Sequence, residues 1–183
     1  MLFNLNEFLR AISFTLDFIE IDILGVTSNH GKRTAYTSLK IAQELGLDSK
    51  HLHDITALAI LHDNGVSEKS LHDKFLIGNS IDVKSLERIK EHCTIGEENV
   101  SQYPFLTDVK DVIRYHHEKY NGTGYFGLKG NDIPLMSQII HLADYIETNF
   151  GFENNNSCLK TKILKFVKEQ KGKMFLCTVP KAV

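Results

Sequence analysis

The chain has 183 residues, the size of one domain, and 42% of them are hydrophobic and 24% charged. These values exclude a wholly disordered, a collagen-like or a membrane-embedded protein. The net charge of −2 is too small to capture DNA or an anionic membrane by bulk electrostatics, so an anionic ligand requires a local site.

The cysteines and the N-terminal segment bear on the cellular compartment. Cys93, Cys158 and Cys177 form an odd set without C-x-x-C spacing, so neither a disulfide framework nor a zinc knuckle is indicated. The apolar N-terminal segment is interrupted by acidic residues and lacks a basic start, which excludes a signal peptide and a membrane span. We therefore expect a cytoplasmic protein.

The first part of the chain predicts helices that glycines separate. Apolar residues at three- and four-residue steps predict an N-terminal helix over about residues 1–25. Capping residues at 27–29 begin a second helix, which Gly46 ends. A third helix is predicted over 49–63, and residues 65–83 predict a loop with one turn of helix.

The second part of the chain repeats this pattern. Helical spacing occurs at 86–93 and again at 109–116, and the glycines of 119–133 predict a long irregular loop. Pro134 suits the first position of a further helix, and a last helix is predicted over about 157–172. Because no alternating strand pattern occurs, the fold class is predicted to be all-α, a compact helical bundle.

Several ionisable residues continue the apolar stripes, although an amphipathic helix normally keeps such residues on its wet face. For example, His62 lies four residues after Leu58, and Asp144 lies four residues after Ile140. A buried carboxylate there is costly unless it is paired or bound to a metal. The inward-facing residues are His30, His62, Asp63, His92, His116, His117 and Asp144.

Any one of these residues alone would be an ordinary core histidine or a capping aspartate. Together, imidazole nitrogens and carboxylate oxygens that converge from several helices are the ligands of a mid-row transition metal. No Ser, Cys or Lys is accompanied by a base, which argues against covalent catalysis. The remaining histidines fall off these phases and are expected at the surface: His51, His53, His72 and His141.

The inward-facing residues belong to an ordered series of motifs. These are His30 with Arg33, L-H-D-N-G at 61–65, E-H-C-T-I-G-E-E-N at 91–99, Y-H-H-E-K-Y-N-G-T-G-Y-F-G-L-K-G-N-D-I-P at 115–134, and L-A-D at 142–144. The series covers roughly residues 5–150 and resembles the HD-GYP family, which shares its helical core with other HD-domain hydrolases. The resemblance implies a metal-dependent phosphodiesterase that acts on cyclic di-GMP or a related cyclic dinucleotide.

The resemblance also implies two divalent metal ions, iron or manganese by preference, with zinc as a further option. One is implied to be held by His30, His62, Asp63 and Asp144. The other is implied to be held by Asp63, His92, His116 and His117. Asp63 would then bridge the two ions, and with His62 it forms the implied catalytic pair. Two such ions would acidify a bridging water to hydroxide and stabilise the leaving oxygen.

The glycine loop after His117 is expected to approach the nucleotide. The substrate-binding candidates are Arg33, Gly124, Tyr125 and Lys129. Lys129 is the nearest obvious cation, although plain solvation explains it equally well. Glu118 is expected beside a metal ligand, orienting it, with simple exposure as the alternative.

The chain departs from the family pattern at several positions. Val66 stands where the family usually has a phosphate-contacting lysine, and Asn121 stands where it usually has an aspartate. Gly-Tyr-Phe at 124–126 replaces Gly-Tyr-Pro. After Asp144 the family supplies cations, whereas this chain has Glu153 and a run of asparagines that ends at Asn156. Members with a third metal carry a glutamate where this chain has Val26, so two metals are expected.

These departures leave alternatives open. A catalytically weak nucleotide-binding signalling module and an HD-type nucleotidohydrolase compete with the phosphodiesterase, and a hemerythrin-type oxygen carrier is disfavoured by the adjacent His-Asp pair. The N-terminal helix is expected either to pack on its own domain or to pair with a second copy or a sensory domain. We predict a single domain over residues 1–183, with the metal-binding core over about 28–150. The abrupt C-terminus leaves open whether the chain is a fragment.

Overall fold

The structure, a computed structural model, describes residues 4–68, 83–150 and 157–175. Within these ranges the chain is helical and forms no β-strand, which agrees with the predicted all-α class. The helices are α1 (Leu5–Leu24), α2 (His30–Glu44), α3 (Ser49–Ile60), α4 (Val83–Val100), α5 (Leu135–Phe150) and α6 (Ser157–Gln170). Short 3-10 turns cover Asn64–Ser67 and Gly130–Asp132.

The helix ends follow the capping residues in the sequence. The Asn4 side chain accepts hydrogen bonds from backbone amides in the first turn of α1, and Asp48 does the same for α3. Gly25 ends α1 with a φ of 68°, a left-handed conformation that glycine adopts without steric cost. The predicted end of the first helix near Gly25 is confirmed.

Two predicted helices differ from the structure. The third helix stops at Ile60 rather than at Asp63, so the His-Asp pair lies in the bend after α3. The helix predicted over 109–116 is wrong, because this segment forms consecutive turns. Asp111 has a φ of 64°, and a left-handed residue interrupts the α-helical hydrogen-bond ladder.

The core forms where α2 packs against α3 and α5, while α4 packs on the 3-10 turn that follows α3. Ile55, Leu58 and Ile140 are completely buried there. The rings of His30, His62 and His116 are among the largest fully buried side chains of the described residues. Titratable groups therefore lie inside the hydrophobic core, where each needs a partner.

The helix α1 covers one side of this core with an inner face that includes Leu9 and Leu16. Its outer face exposes Phe14, Phe18 and Ile21, and Phe18 is 76% exposed. Among the described residues, no helix combines the length and the apolarity that crossing a membrane requires.

Candidate metal centre

The histidines and aspartates predicted to face inward come together at one place in the core. The first turn of α2 supplies His30, and the bend after α3 supplies the His-Asp pair. The middle of α4 supplies His92, and α5 supplies Asp144. Consecutive histidines 116 and 117 come from the turns that replace the predicted helix. All seven residues are buried or nearly so.

The carboxylate of Asp63 lies between two groups of imidazoles. Its Oδ2 atom is 3.2 Å from the Nε2 atom of His62. Its Oδ1 atom is 3.3 Å from Nε2 of His92 and 3.6 Å from Nε2 of His116. The two oxygens thus face different sets of nitrogen donors, the geometry that a bridging carboxylate needs.

Two clusters of ligand atoms flank this carboxylate. In one cluster, the ligand atoms of His30, His62 and Asp144 lie within 4.8 Å of one another. Asp144 Oδ1 is 3.3 Å from His30 Nε2 and 3.9 Å from His62 Nε2. In the other cluster, the ligand atoms of three histidines and one cysteine lie equally close: His92, Cys93, His116 and His117.

Hydrogen bonds on the far side of the rings orient the imidazoles. The Nδ1 atom of His62 is 2.9 Å from the carbonyl oxygen of Ala59, and the Nδ1 atom of His116 bonds the carbonyl of Ile113 in the same way. A backbone carbonyl fixes the proton on Nδ1 and leaves Nε2 free to bind a metal. The Nε2 atoms of His62 and His116 are buried without a hydrogen-bond partner. These unpartnered, buried nitrogens fit a divalent cation.

Acidic neighbours raise the pKa values of three of the rings. Burial acts to lower the pKa of His62, but the charge of Asp63 outweighs it. Burial disfavours protonation of His30, but Asp144 and Glu147 outweigh it and raise the His30 pKa to about 11. Burial also opposes protonation of His116, yet the charge of Cys93 and the contact with Asp63 raise its pKa to about 9. Without a cation these rings carry protons, which a metal must displace on binding.

The other members of the cluster show the complementary effect. Burial alone would raise the pKa of Asp63, but the charge of His62 and the close contacts with the neighbouring imidazoles hold it well below its usual value. Burial and the charges of His116 and His92 lower the pKa of His117 well below its usual value, so this ring is neutral. A charged carboxylate beside a neutral imidazole is the protonation state in which both groups can ligate a cation.

A glutamate that sequence reasoning did not assign to the site supports the first histidine. Glu147, which is 3% exposed, contacts the Nδ1 atom of His30 through Oε2 and accepts a 2.6 Å hydrogen bond from Arg33 Nε through Oε1. The predicted substrate-binding Arg33 therefore has an intramolecular partner, and it also donates to the backbone carbonyl of Ser28. The signal was present, because Glu147 lies seven residues after Ile140 on the buried stripe.

The buried carboxylate of Glu118 holds the glycine loop through hydrogen bonds to its backbone. Glu118 is 1% exposed, and its two oxygens accept hydrogen bonds of 2.7 and 2.6 Å from the amides of Phe126 and Leu128. Its hydrogen-bond partners are thus loop amides, whereas the sequence led us to expect that Glu118 either orients a metal ligand or is exposed. Gly124 lies so close that an added Cβ would be 2.5 Å from Glu118 Oε1. The half-buried Tyr125 packs edge-on against His117, with 5.8 Å between ring centroids.

The remaining phosphate-contact candidates lie differently. Lys129 is exposed, and its side-chain stem packs near Gly122. Val66 is 0% exposed, so the side chain at this position points into the core. Glu153 and Asn156 lie outside the described residues.

Two further buried groups lie near the metal centre. The expectation that His141 lies at the surface is wrong, because it is 6% exposed and packs against Phe175. Glu20 of α1 is 2% exposed, and its Oε1 atom has no hydrogen-bond partner. Burial and the charge of Asp63 raise its pKa to about 7. Of the other histidines expected at the surface, 51 and 53 are partly exposed, and position 72 lies outside the described residues.

The sequence matches a known family model and several curated proteins. The HD domain family model matches residues 20–153. A cyclic di-GMP phosphodiesterase of Thermotoga maritima is 31% identical over an alignment of 144 residues that covers 76% of this chain and 38% of that protein. A 3'3'-cGAMP-specific phosphodiesterase of Vibrio cholerae is 26% identical over an alignment of 144 residues that covers 79% of this chain and 31% of that protein.

Solved structures show the same fold. A cyclic GMP-AMP-specific phosphodiesterase of V. cholerae superimposes with a TM-score of 0.68 at 22% identity, over 90% of this chain and 45% of that one. An HDG"Y"P protein of Bdellovibrio bacteriovorus gives a TM-score of 0.57 at 26% identity, over 79% of this chain and 47% of that one. The chain therefore spans less than half the length of these curated relatives and solved structures.

Proposed function

The chain belongs to the HD domain family, in its HD-GYP branch, and from this premise we propose that it is a metal-dependent phosphodiesterase that hydrolyses a cyclic dinucleotide. The observation that carries the proposal is the position of Asp63 between two clusters of ligand atoms. Hydrolysis of a phosphodiester needs charge stabilisation on both the attacking oxygen and the leaving oxygen, and a pair of adjacent cation sites can supply it.

We propose that two divalent cations bind here, iron or manganese by preference, and that zinc also fits. When bound, such cations polarise a phosphodiester oxygen and lower the pKa of a water molecule. The chain holds one cation with His30, His62, Asp63 and Asp144. It holds the other with Asp63, His92, His116 and His117. Carboxylate and imidazole donors of this kind suit mid-row metals.

The protein's own contribution is to fix these donors. The Nδ1 contacts of His62 and His116 with backbone carbonyls present each Nε2 atom to the centre. Glu147 does the same for His30 and in turn is held by Arg33. Such preorganisation keeps the ligand geometry from relaxing when the substrate's charge enters.

We propose that the substrate lies against the loop that follows His117. Tyr125 offers an aromatic edge beside that histidine, and Gly124 lets the backbone pass close over Glu118. The exposed Lys129 is the cation that this loop offers to a phosphate. Because the guanidinium of Arg33 already has protein partners, Arg33 acts on the site by holding Glu147 rather than by binding a phosphate.

A second candidate function is a catalytically weak nucleotide-binding module, and the burial of Val66 favours it. The side chain at this position contributes no cation to a phosphate, and each lost charge-assisted contact costs about 1.5–3 kcal/mol of binding. A related HD-type nucleotidohydrolase would use the same metal centre on a mononucleotide.

A substrate panel separates these functions. Manganese- and iron-loaded protein is incubated with cyclic di-GMP, cyclic GMP-AMP, linear dinucleotides, mononucleotides and a generic phosphodiester, with Asp63→Ala as the control. We expect the wild type to open a cyclic dinucleotide and the variant to be inactive. Binding by calorimetry without turnover of any substrate would replace the enzyme with the binding module, and turnover of mononucleotides alone would indicate the nucleotidohydrolase.

We also propose that the outer face of α1 pairs with a second copy of the chain or with a regulatory domain. Phe14, Phe18 and Ile21 are exposed at steps of four and three residues, the spacing of a coiled-coil seam. Sedimentation should show a dimer that Phe18→Glu dissociates, and a strict monomer would leave only the regulatory domain. We also propose a reducing, cytoplasmic location, because the three cysteines of the chain show neither a disulfide framework nor zinc-knuckle spacing.

A further inference from the structure

A cysteine lies within the second cluster of ligand atoms. Cys93 follows His92 on α4 and is 0% exposed. Its Sγ atom belongs to the group of ligand atoms, with those of His92, His116 and His117, that lie within 4.8 Å of one another. The sequence pattern explains Cys93 simply as part of the apolar stripe of α4, and a buried thiol is ordinarily inert.

We infer that the Cys93 thiolate is itself a ligand of the cation in this half of the centre, so that the site combines three imidazoles, one sulfur and the Asp63 carboxylate. The inference rests on the proposed function only in that both use the same metal centre. It adds a donor of a different chemical class, which determines the metals that this half prefers.

The spacing of the donor atoms supports the inference. Cys93 Sγ lies 3.6 Å from His92 Nε2. Metal–sulfur and metal–nitrogen bonds of about 2.3 and 2.1 Å that meet at angles of about 90–120°, the range found in four- and five-coordinate sites, place the two donors about 3.1–3.8 Å apart. The distance therefore suits two ligands of one cation, and it is long for a strong hydrogen bond.

The neighbouring side chains supply the second line of support. His116 is completely buried, and its Nε2 atom has no hydrogen-bond partner. His92 is 4% exposed, and its Nδ1 atom is likewise unpartnered. A cation at this point would give the unpartnered Nε2 atom of His116 a partner and would neutralise a Cys93 thiolate.

A sulfur ligand makes the two halves of the centre chemically unequal. Thiolate is a soft donor that favours zinc, cobalt and ferrous iron over manganese and magnesium. The half formed by His30, His62 and Asp144 offers only nitrogen and oxygen donors. The thiol releases its proton to solvent when the cation binds, as any thiolate ligand does.

Cobalt(II) substitution tests the inference without reference to activity. Cobalt added to metal-free wild-type protein should give a near-ultraviolet sulfur-to-cobalt charge-transfer band together with the visible ligand-field bands. Cys93→Ser should lose the charge-transfer band and keep the ligand-field bands. The matched control is the double variant Cys158→Ser and Cys177→Ser, which removes the other thiols of the chain and should keep the band.

Metal competition gives a second readout. Cys93→Ser should lower the zinc affinity relative to the manganese affinity by at least about tenfold, because only the soft donor has been removed. Cys93→Ala serves if the serine variant does not fold, since a small apolar residue suits the buried position. Absence of the band in wild-type protein that has bound cobalt, or its persistence in Cys93→Ser, would overturn the inference. A band without phosphodiesterase activity would overturn only the proposed function.

Discussion

Glu147 holds the ring of His30 from the side opposite to Asp144. The Nδ1 atom of the ring contacts Glu147, and the Nε2 atom lies 3.3 Å from Asp144. Glu147 is 3% exposed and also binds Arg33, so the orientation of His30 depends on an ion pair between α2 and α5. A metal-ligating imidazole whose second nitrogen meets a carboxylate is fixed in orientation and made more basic.

We predict that Glu147→Gln weakens metal binding without removing a ligand. Because the neutral amide no longer favours a proton on the Nδ1 atom of His30, the affinity of the centre for the metal should fall by about 10–100-fold. Metal affinity is measured by competition with a chelator. Asn149→Ala, an exposed change on the same helix, is the matched control and should bind metal like the wild type. Equal affinities for wild type and Glu147→Gln would refute a positioning role.

Gly65 allows the turn after α3 to approach α4. A Cβ added at Gly65 would lie 2.0 Å from the carbonyl oxygen of His92 and 2.8 Å from the amide nitrogen of Gly96. Both contacts are with backbone, so relief requires the two elements to separate. This separation would move Asp63 away from His92. The Oδ1 atom of Asp63 and the Nε2 atom of His92 lie 3.3 Å apart in the structure.

Gly65→Ala should therefore destabilise the fold by about 3 kcal/mol and lower the metal content from about two ions per chain to about one. Chemical denaturation and elemental analysis measure the two effects. Glu68→Ala, an exposed change in the same turn, should alter neither. A Gly65→Ala protein with wild-type stability and metal content would show that the close approach is not required.

The close packing between Gly124 and Glu118 predicts a substrate effect. An added Cβ would meet Glu118 at 2.5–2.8 Å, including its backbone Cα, so Gly124→Ala should displace the loop that carries Tyr125. The expected result is a raised KM for the dinucleotide, a smaller change in kcat, and about 1–3 kcal/mol lower stability. Steady-state kinetics test this, with the exposed Thr123→Ala as control. A fall in kcat alone would contradict loop displacement.

The burial of the candidate metal ligands could be predicted because helical phase reports burial. His62 and Asp144 are costly on apolar faces, and the sequence alone shows that cost. The segment that carries His116 was predicted as a helix but forms turns. The hydrogen bond between His116 Nδ1 and the carbonyl oxygen of Ile113 nevertheless directs the ring inward. Periodicity thus predicted the direction of the side chain better than the backbone conformation.

The errors have a common physical cause. His141 falls off the stripe of α5, but every residue of this helix from 136 to 143 is buried, so a one-sided stripe does not describe it. Phe175 near the C-terminus covers the other side, a contact that local sequence cannot show. The position of Glu147 on the buried stripe could be read from the sequence, but its contacts with His30 and Arg33 could not, because these residues lie more than 100 positions earlier in the chain. Glu20 was missed for the same reason, because its neighbour Asp63 is distant in the sequence.

Asp54 gives a prediction of pH-dependent stability outside the metal centre. It is 0% exposed and accepts hydrogen bonds from the Leu106 amide and from the amide and hydroxyl of Thr107, at 2.7–2.9 Å through Oδ2. Burial acts to raise the pKa of Asp54, but these hydrogen bonds outweigh it and lower the pKa below 3.8. The carboxylate therefore stabilises the fold above the unfolded-state pKa, and this contribution is lost as the pH falls through the folded-state value.

Asp54→Asn should reduce the free energy of unfolding by about 2–3 kcal/mol at pH 7, since hydrogen bonds to a charged acceptor are replaced by weaker ones. The difference between wild type and variant should shrink as the pH falls from the unfolded-state pKa of about 4 toward the lower folded-state pKa, at which the wild-type carboxylate takes up its proton. Denaturant unfolding at a series of pH values measures this difference, and metal loss at low pH affects both proteins equally. Asp108→Asn, an exposed change in the same region, is the control and should follow the wild type. A wild-type-minus-Asp54→Asn difference that stays constant from pH 7 to pH 3 would contradict the assigned role of the Asp54 charge.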